Sequence, residues 1–355
     1  MLQYRLNHTK RFKTVRYRIV DNRIKCSFPF IFDSMRRVIA GYILLLIIFP
    51  ALSANAQVRP GPLFTDNMVL QQNSQASLWG WTSPNKTVTV HTSWNGKKQQ
   101  SIADASGKFQ FKVPTPAAGG PFTISFNDGH TTSLRNIMIG EVWICGGQSN
   151  MEMPVKGYKG QPVIGSNDAI LKSTNPNIRL YSVPRVSQFL PQDTTKPSLW
   201  KEAAPEAVSS FSATAYFFGR DLNEVLNVPI GLINISWTGS PIESWMDAAS
   251  LGAFPEIKLP ASPDSIRVPN RTPTTIYNGM LHPVAGYTIK GFVWYQGESN
   301  YDRPDQYENL FPAMVKLWRR QWAQGDLPFT MPRSHHTITR SCRRTMWEEN
   351  TIQPI

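Results

Sequence analysis

The sequence predicts an α/β protein: an open, mostly parallel sheet with flanking helices, preceded by a small β-sandwich domain. Three observations lead there. Residues 58–135 hold short β-rich runs separated by turn dipeptides. From residue 136 the pattern becomes apolar strand, polar loop and helix, and it repeats. The polar loops stand at the C-terminal ends of the strands, where open α/β sheets bind ligands.

The β region, residues 57–135, contains VLQQNSQASLWGW, KTVTVHTSW, KFQFKVP and PFTISFND, all rich in β-branched and aromatic residues. Asn95-Gly96, Ser106-Gly107 and Asp128-Gly129 supply turns between them. Residues 87–90 and 108–113 alternate apolar and polar, as half-buried strands do. Its role is expected to be support, not chemistry.

The α/β region, residues 136–329, opens with an apolar strand over 137–145 that runs into Gly146-Gly147-Gln148-Ser149-Asn150. Residues 210–226 carry helix periodicity, with Phe211, Ala215, Phe218, Leu222 and Val225 on one side. A short strand over 229–235 ends in Ser236-Trp237-Thr238-Gly239-Ser240. Residues 246–275 are rich in Pro, Ser and Ala and read as an irregular excursion that shapes the rim of a site. Residues 289–295 form a third strand, ending in Gln296-Gly297-Glu298-Ser299-Asn300, and residues 305–318 suit the next helix.

The two ends differ from this body. Residues 35–57 read MRRVIAGYILLLIIFPALSANAQ: a basic start, an apolar run and small residues Ala54 and Ala56. That is the pattern of a signal peptide over 35–56, cleaved after Ala56, and it predicts an exported protein, periplasmic or secreted. The apolar run is short for a bilayer span, so no stable membrane span is expected after cleavage. Residues 1–34 are basic and irregular, a spurious or extended N-terminus if translation starts at Met35. Residues 330–355 show no hydrophobic period of 2 or 3.6 and read as an unmatched tail, from a frameshift, an assembly artefact or a plain loop.

The formal charge of +13 is concentrated at these ends. Residues 1–57 carry ten Lys/Arg against Asp21 and Asp33, and residues 330–355 four Arg against two Glu, which leaves residues 58–329 only about +3. No basic stripe with interleaved aromatics occurs there, so no nucleic-acid partner is expected. Cys26, Cys145 and Cys342 form neither a short-spaced metal motif nor a disulfide framework.

Ser149 is the candidate nucleophile. A serine on a sharp strand exit exposes its oxygen and can aim its own N–H at a developing oxyanion. Gly146 and Gly147 permit the tight approach. An ordinary strand-to-helix turn capped by Ser149 or Asn150 is the plainer alternative. Gly239 is a candidate second donor and Gln296 a third, through its side chain, because ester hydrolysis needs donors converging on one oxygen. Spacing alone favours reading Gly239 as a turn that merely relieves crowding. Glu298 and Glu243 are candidate buried carboxylates that orient loops, or else belong to solvated turns.

Several stretches resemble the sialate O-acetylesterase family, a branch of the SGNH-type hydrolases. They are LFTDNMVLQQ (63–72), ASLWGW (76–81), GEVWICGGQSNMEM (140–153), ISWTGSPIESW (235–245), YNGMLHP (277–283) and KGFVWYQGESN (290–300), and the resemblance covers roughly residues 60–329. It implies an SGNH-hydrolase-like (flavodoxin-like) sheet, an attack by Ser149 on an acetyl carbonyl, and Gly239 as the oxyanion glycine. Gln296 and Glu298 fall in the QGE segment characteristic of this branch. Cys145 and Trp143 become packing residues. The implied reaction is two-step acyl transfer on an O-acetylated sialic acid or related glycan, with no cofactor and no metal. Thr238 and Gly146 depart from the family pattern without removing a functional group.

The resemblance also implies a downstream DxxH segment holding the catalytic histidine, and none is present. The remaining histidines, His8, His91, His130, His282, His335 and His336, lack that setting. The chain is therefore expected to be an incomplete esterase, cut just after Phe329 and impaired in turnover. Two rivals stand beside it: an acetylxylan or other carbohydrate acetylesterase, and a non-catalytic carbohydrate-binding protein built around Trp79, Trp81 and Trp94.

Overall fold

The computed structural model describes residues 57–332. The N-terminal segment 1–34, the expected signal peptide 35–56, and the tail beyond 332 with His335 and His336 lie outside the described residues.

Thirteen strands are found among the described residues. Those of the leading region are β1 (Arg59–Pro60), β2 (Val69–Gln71), β3 (Gln75–Trp81), β4 (Thr87–Thr92), β5 (Lys98–Ile102), β6 (Lys108–Pro114) and β7 (Gly119–Asn127). β8 (Thr131–Gly147) follows, and then β9 (Asn175–Ser182), β10 (Lys201–Ala203), β11 (Ile230–Ser236), β12 (Gly291–Tyr295) and β13 (Phe329–Thr330). The helices are α1 (Ser149–Glu152), α2 (Ser166–Leu171), α3 (Pro205–Ser209), α4 (Ala213–Leu226), α5 (Ala248–Leu251) and α6 (Pro304–Trp322).

β1, β3 and β6 form a three-stranded antiparallel sheet. β5, β4 and β7 pair antiparallel in a run that continues into β8, and Phe109 of the three-stranded sheet meets Phe126 of β7 with ring centroids 5.8 Å apart, within one core cluster. Alternation in β4 and β6 appears directly as exposed–buried alternation, because one face of each packs inward and the other meets water.

β8 joins the two regions. Its first half pairs antiparallel with β7 and its second half lies parallel between β11 and β12. The change of pattern at residue 136 thus falls inside one strand, at Asn136, whose φ of 56° bends the chain. Around β8 the mostly parallel sheet runs β10-β9-β11-β8-β12-β13, with β10 antiparallel at its edge.

The parallel strands are buried on both faces, and their side chains alternate accordingly. Trp143 and Cys145 of β8, Leu232 of β11 and Val293 of β12 face one apolar cluster with Tyr216 of α4. Ile144, Ile233, Phe292 and Trp294 face the other, with Phe311 and Trp318 of α6. That second cluster is continuous with the core of the leading region. Tyr287 ties them further: its hydroxyl donates to the Val69 carbonyl at 2.7 Å and its ring lies against Phe64.

The helix expected over 210–226 starts later, at Ala213. Ser212 caps it by accepting from the Ala215 N–H at 3.1 Å. Its buried side is Ala213, Ala215, Tyr216 and Gly219, whereas Val225 is 80% exposed. The last turn is exposed, and the helix ends at Asn227 in the left-handed region.

Candidate active site

Register brings the three sequence-predicted loops together. Gly147 at the end of β8 stands opposite Ser236 of β11 on one side and Tyr295 of β12 on the other. All three strands therefore end at one level, and their loops leave side by side. Backbone hydrogen bonds join them: the Trp237 N–H donates to the Gly147 carbonyl at 3.1 Å and the Gln148 N–H to the Tyr295 carbonyl at 3.0 Å.

Gly147 has no substitute here. Its φ is 146°, and a Cβ would lie 2.1 Å from the Tyr295 carbonyl oxygen. The chain turns at Gln148 and Ser149 becomes the first residue of α1. Ser149 is half-buried, and its Oγ has no hydrogen-bond partner among the described residues. As a first helical residue it also keeps its N–H outside the intrahelical ladder. Gly239 lies in the second loop with φ 72°, a left-handed conformation that glycine adopts without strain. Its N–H is likewise without an acceptor among the described residues.

Gln296 is buried and turns inward. Its Nε2 lies 3.1 Å from Gln148 Oε1, 3.2 Å from the Ser240 carbonyl and 2.8 Å from Asn300 Oδ1. This differs from the expected donor facing an ester: the amide hydrogens are engaged with three protein acceptors. Asn300 continues the chain of bonds, accepting from the Ile242 N–H and donating to Glu243 Oε2 at 2.9 Å. Glu243 is 5% exposed and its Oε1 accepts from Arg303 at 2.9 Å. Burial works against the Arg303 cation, but the Glu243 charge and hydrogen bond, with Asp302 beside them, hold its pKa above the usual value. Glu243 is thus the loop-orienting buried carboxylate, bridging the second and third loops.

Glu298, in the third loop, reaches across to the first. Its Oε1 accepts from Asn150 Nδ2 at 2.5 Å, while Oε2 is buried without a partner among the described residues. Burial and the Glu298 charge push the Tyr295 hydroxyl above its ordinary pKa. Cys145 is buried and unpaired, and burial pushes its thiol up, so beside the Ser149 loop it is inert packing.

Sequence reasoning missed two residues of this site. Glu152 accepts from the Thr238 N–H at 2.5 Å and pairs with Arg185 at 2.8 Å. Asn270, from the irregular excursion, donates to the Thr238 carbonyl at 2.7 Å. Glu152 stands inside GEVWICGGQSNMEM and was within reach of a motif reading, whereas nothing around Asn270 distinguishes it from its neighbours. His282 is held elsewhere, its Nδ1 2.9 Å from the Gln192 carbonyl. His91 lies on β4 and His130 in the turn between β7 and β8. Among the described residues no group of three or more His, Cys, Asp or Glu gathers as a metal site would require, and no helix is long and apolar enough to cross a membrane.

Comparison with known proteins gives the same neighbourhood each time. Residues 139–353 match the family described as "Carbohydrate esterase, sialic acid-specific acetylesterase", a match that runs past Phe329. The sialate O-acetylesterases of Pongo abelii and Homo sapiens are each 33% identical over 308 residues, covering 81% of this chain. The chain spans 58% of the length of those relatives. The crystal structure of a carbohydrate acetylesterase from Xanthomonas citri is 31% identical, with a TM-score of 0.74 over 84% of this chain and 68% of that one.

Proposed function

The chain belongs to the sialic acid-specific acetylesterase family of carbohydrate esterases, and on that premise we propose that it hydrolyses O-acetyl esters on sialic acids with Ser149 as nucleophile. The observation that supports this reading is the shared level of Gly147, Ser236 and Tyr295, from which the loops holding Ser149 and Gly239 leave side by side.

In the proposed reaction Ser149 Oγ attacks the acetyl carbonyl carbon and gives up its proton to a base. The tetrahedral oxyanion takes hydrogen bonds from the Ser149 and Gly239 N–H groups. It collapses as the base returns that proton to the departing sugar oxygen, leaving acetyl-Ser149. Water then attacks that ester and acetate departs. Gln296 serves by holding the three loops in register, since its amide hydrogens are already engaged. Glu298 keeps Asn150, and so the nucleophile turn, in place. Among the described residues no histidine is hydrogen-bonded to Ser149.

The same reading includes an SGNH-type sheet with a supporting β-sandwich, export directed by residues 35–56, and an acetylated glycan as the partner. A second substrate, acetylated xylan or another acetylated carbohydrate, is favoured by the Xanthomonas citri likeness, because that protein is described only as a carbohydrate acetylesterase. Acetate release measured on O-acetylated sialic acid and on acetylated xylan separates them, and preference for xylan overturns the sialic-acid assignment. Ser149→Ala is expected to abolish release on either; retained activity overturns Ser149 as nucleophile.

A further inference from the structure

The loop that bears Gly239 is held at two consecutive peptide planes by side chains from distant parts of the chain. In the Trp237–Thr238 plane, the Thr238 N–H donates to Glu152 Oε2 at 2.5 Å and the Trp237 carbonyl accepts from the Ser240 hydroxyl at 2.7 Å. In the next plane, the Thr238 carbonyl accepts from Asn270 Nδ2 at 2.7 Å. The other polar group of that plane is the Gly239 N–H. A trans peptide is flat, and its C=O and N–H point in opposite directions. Whatever fixes the Thr238 carbonyl therefore aims the Gly239 N–H.

We infer that Asn270 is a positioning residue for ester hydrolysis, aiming the Gly239 N–H at the oxyanion by holding the Thr238 carbonyl from behind. The inference rests on the proposed role of Gly239 and deepens it. Thr238 is exposed and Gly239 sits at φ 72°, so no strand ladder or core packing holds this plane. Asn270 also lies against the glycine itself: a Cβ built on Gly239 would be 3.4 Å from Nδ2, an ordinary contact. The need for glycine is thus conformational, and the orientation of its N–H comes from the side chain behind it. Glu152 performs the same service for the preceding plane. It is anchored by Arg185 at 2.8 Å and receives the Tyr158 hydroxyl at 3.2 Å. The excursion over 246–275, which sequence reading assigns to the rim, thereby reaches into the catalytic geometry.

The deciding variants are Asn270→Ala, which deletes the donor, and Asn270→Asp, which keeps the shape but sets an acceptor against the carbonyl. Two readouts are taken. In ¹⁵N-glycine-labelled protein, the Gly239 amide resonance is assigned by its loss in Gly239→Ala. It is expected to move in both Asn270 variants while glycines of the sheet stay in place. In acetate release, kcat is expected to fall by about 10²-fold, the scale of a misplaced catalytic contact, with KM within about twofold of wild type. An unmoved Gly239 resonance overturns the inference, as does a rise in KM with kcat unchanged, which would make Asn270 a substrate-binding residue. The amide readout needs no turnover. It decides the role of Asn270 even if Ser149→Ala fails to abolish acetate release, which would defeat the functional reading alone.

Discussion

Replacing Glu243 tests the polar network beneath the site. Glu243 receives Arg303 on one oxygen and Asn300 on the other, each at 2.9 Å, and is 5% exposed. In Glu243→Ala, Asn300 Nδ2 loses its acceptor at a position 1% exposed to water, a loss of about 1–3 kcal/mol for a stranded buried donor. Arg303 loses Glu243 too, but it keeps Gln306 and Asp302 and its side chain is 37% exposed, so the added cost is about 1 kcal/mol. The sum is about 3 kcal/mol, short of the full cost of breaking a wholly buried pair. Glu243→Gln keeps one acceptor oxygen and turns an amide on the remaining donor, so about half of that loss is expected. Urea unfolding of wild type and both variants, read as midpoints at constant m-value, gives the order. An Ala variant within about 0.5 kcal/mol of wild type, the range of ordinary surface changes, would refute the view that Glu243 holds the second and third loops together.

Gly147→Ala is expected to destabilise by about 3 kcal/mol or more, since a Cβ meets the Tyr295 carbonyl and φ is 146°, and chemical denaturation measures it. Cys145 is expected to resist alkylation in the native state and react on unfolding, as mass spectrometry with and without denaturant would record; native labelling contradicts its burial. Tyr181 and Tyr277 have hydroxyl pKa values pushed up to about 12 by burial. The unfolded chain ionises these groups near pH 10 and the folded one later, so their stability contribution is intact below about 10 and is lost as pH rises toward 12. Tyrosinate absorbance should therefore show a late-titrating class in the native protein that vanishes in denaturant.

Much of the site was legible because its signals are local. Gly147 and Gly239 mark positions where the backbone takes positive φ, and the strand–loop–helix rhythm places both at strand ends. Glu243 was legible only as a candidate, because its partners Asn300 and Arg303 lie 57 and 60 residues away. Gln296 turned out differently in orientation: an amide can serve either side of a loop, and the three acceptors that claim it come from three segments. The helix starting at 213 instead of 210 reflects Ser212, whose cap wins over the apolar period of its neighbours.

The sequence by itself determined the alternation of strands and helices, the polar loops at the strand ends and the serine and glycines within them, because periodicity and backbone conformation are properties of neighbouring residues. Only the tertiary structure decided that β8 runs through both regions, that three strands end level at Gly147, and that Glu152 and Asn270 grip the Thr238 peptide planes. Those outcomes depend on register and on hydrogen bonds between residues 86 and 32 positions apart, and contacts of that range leave no period in the chain.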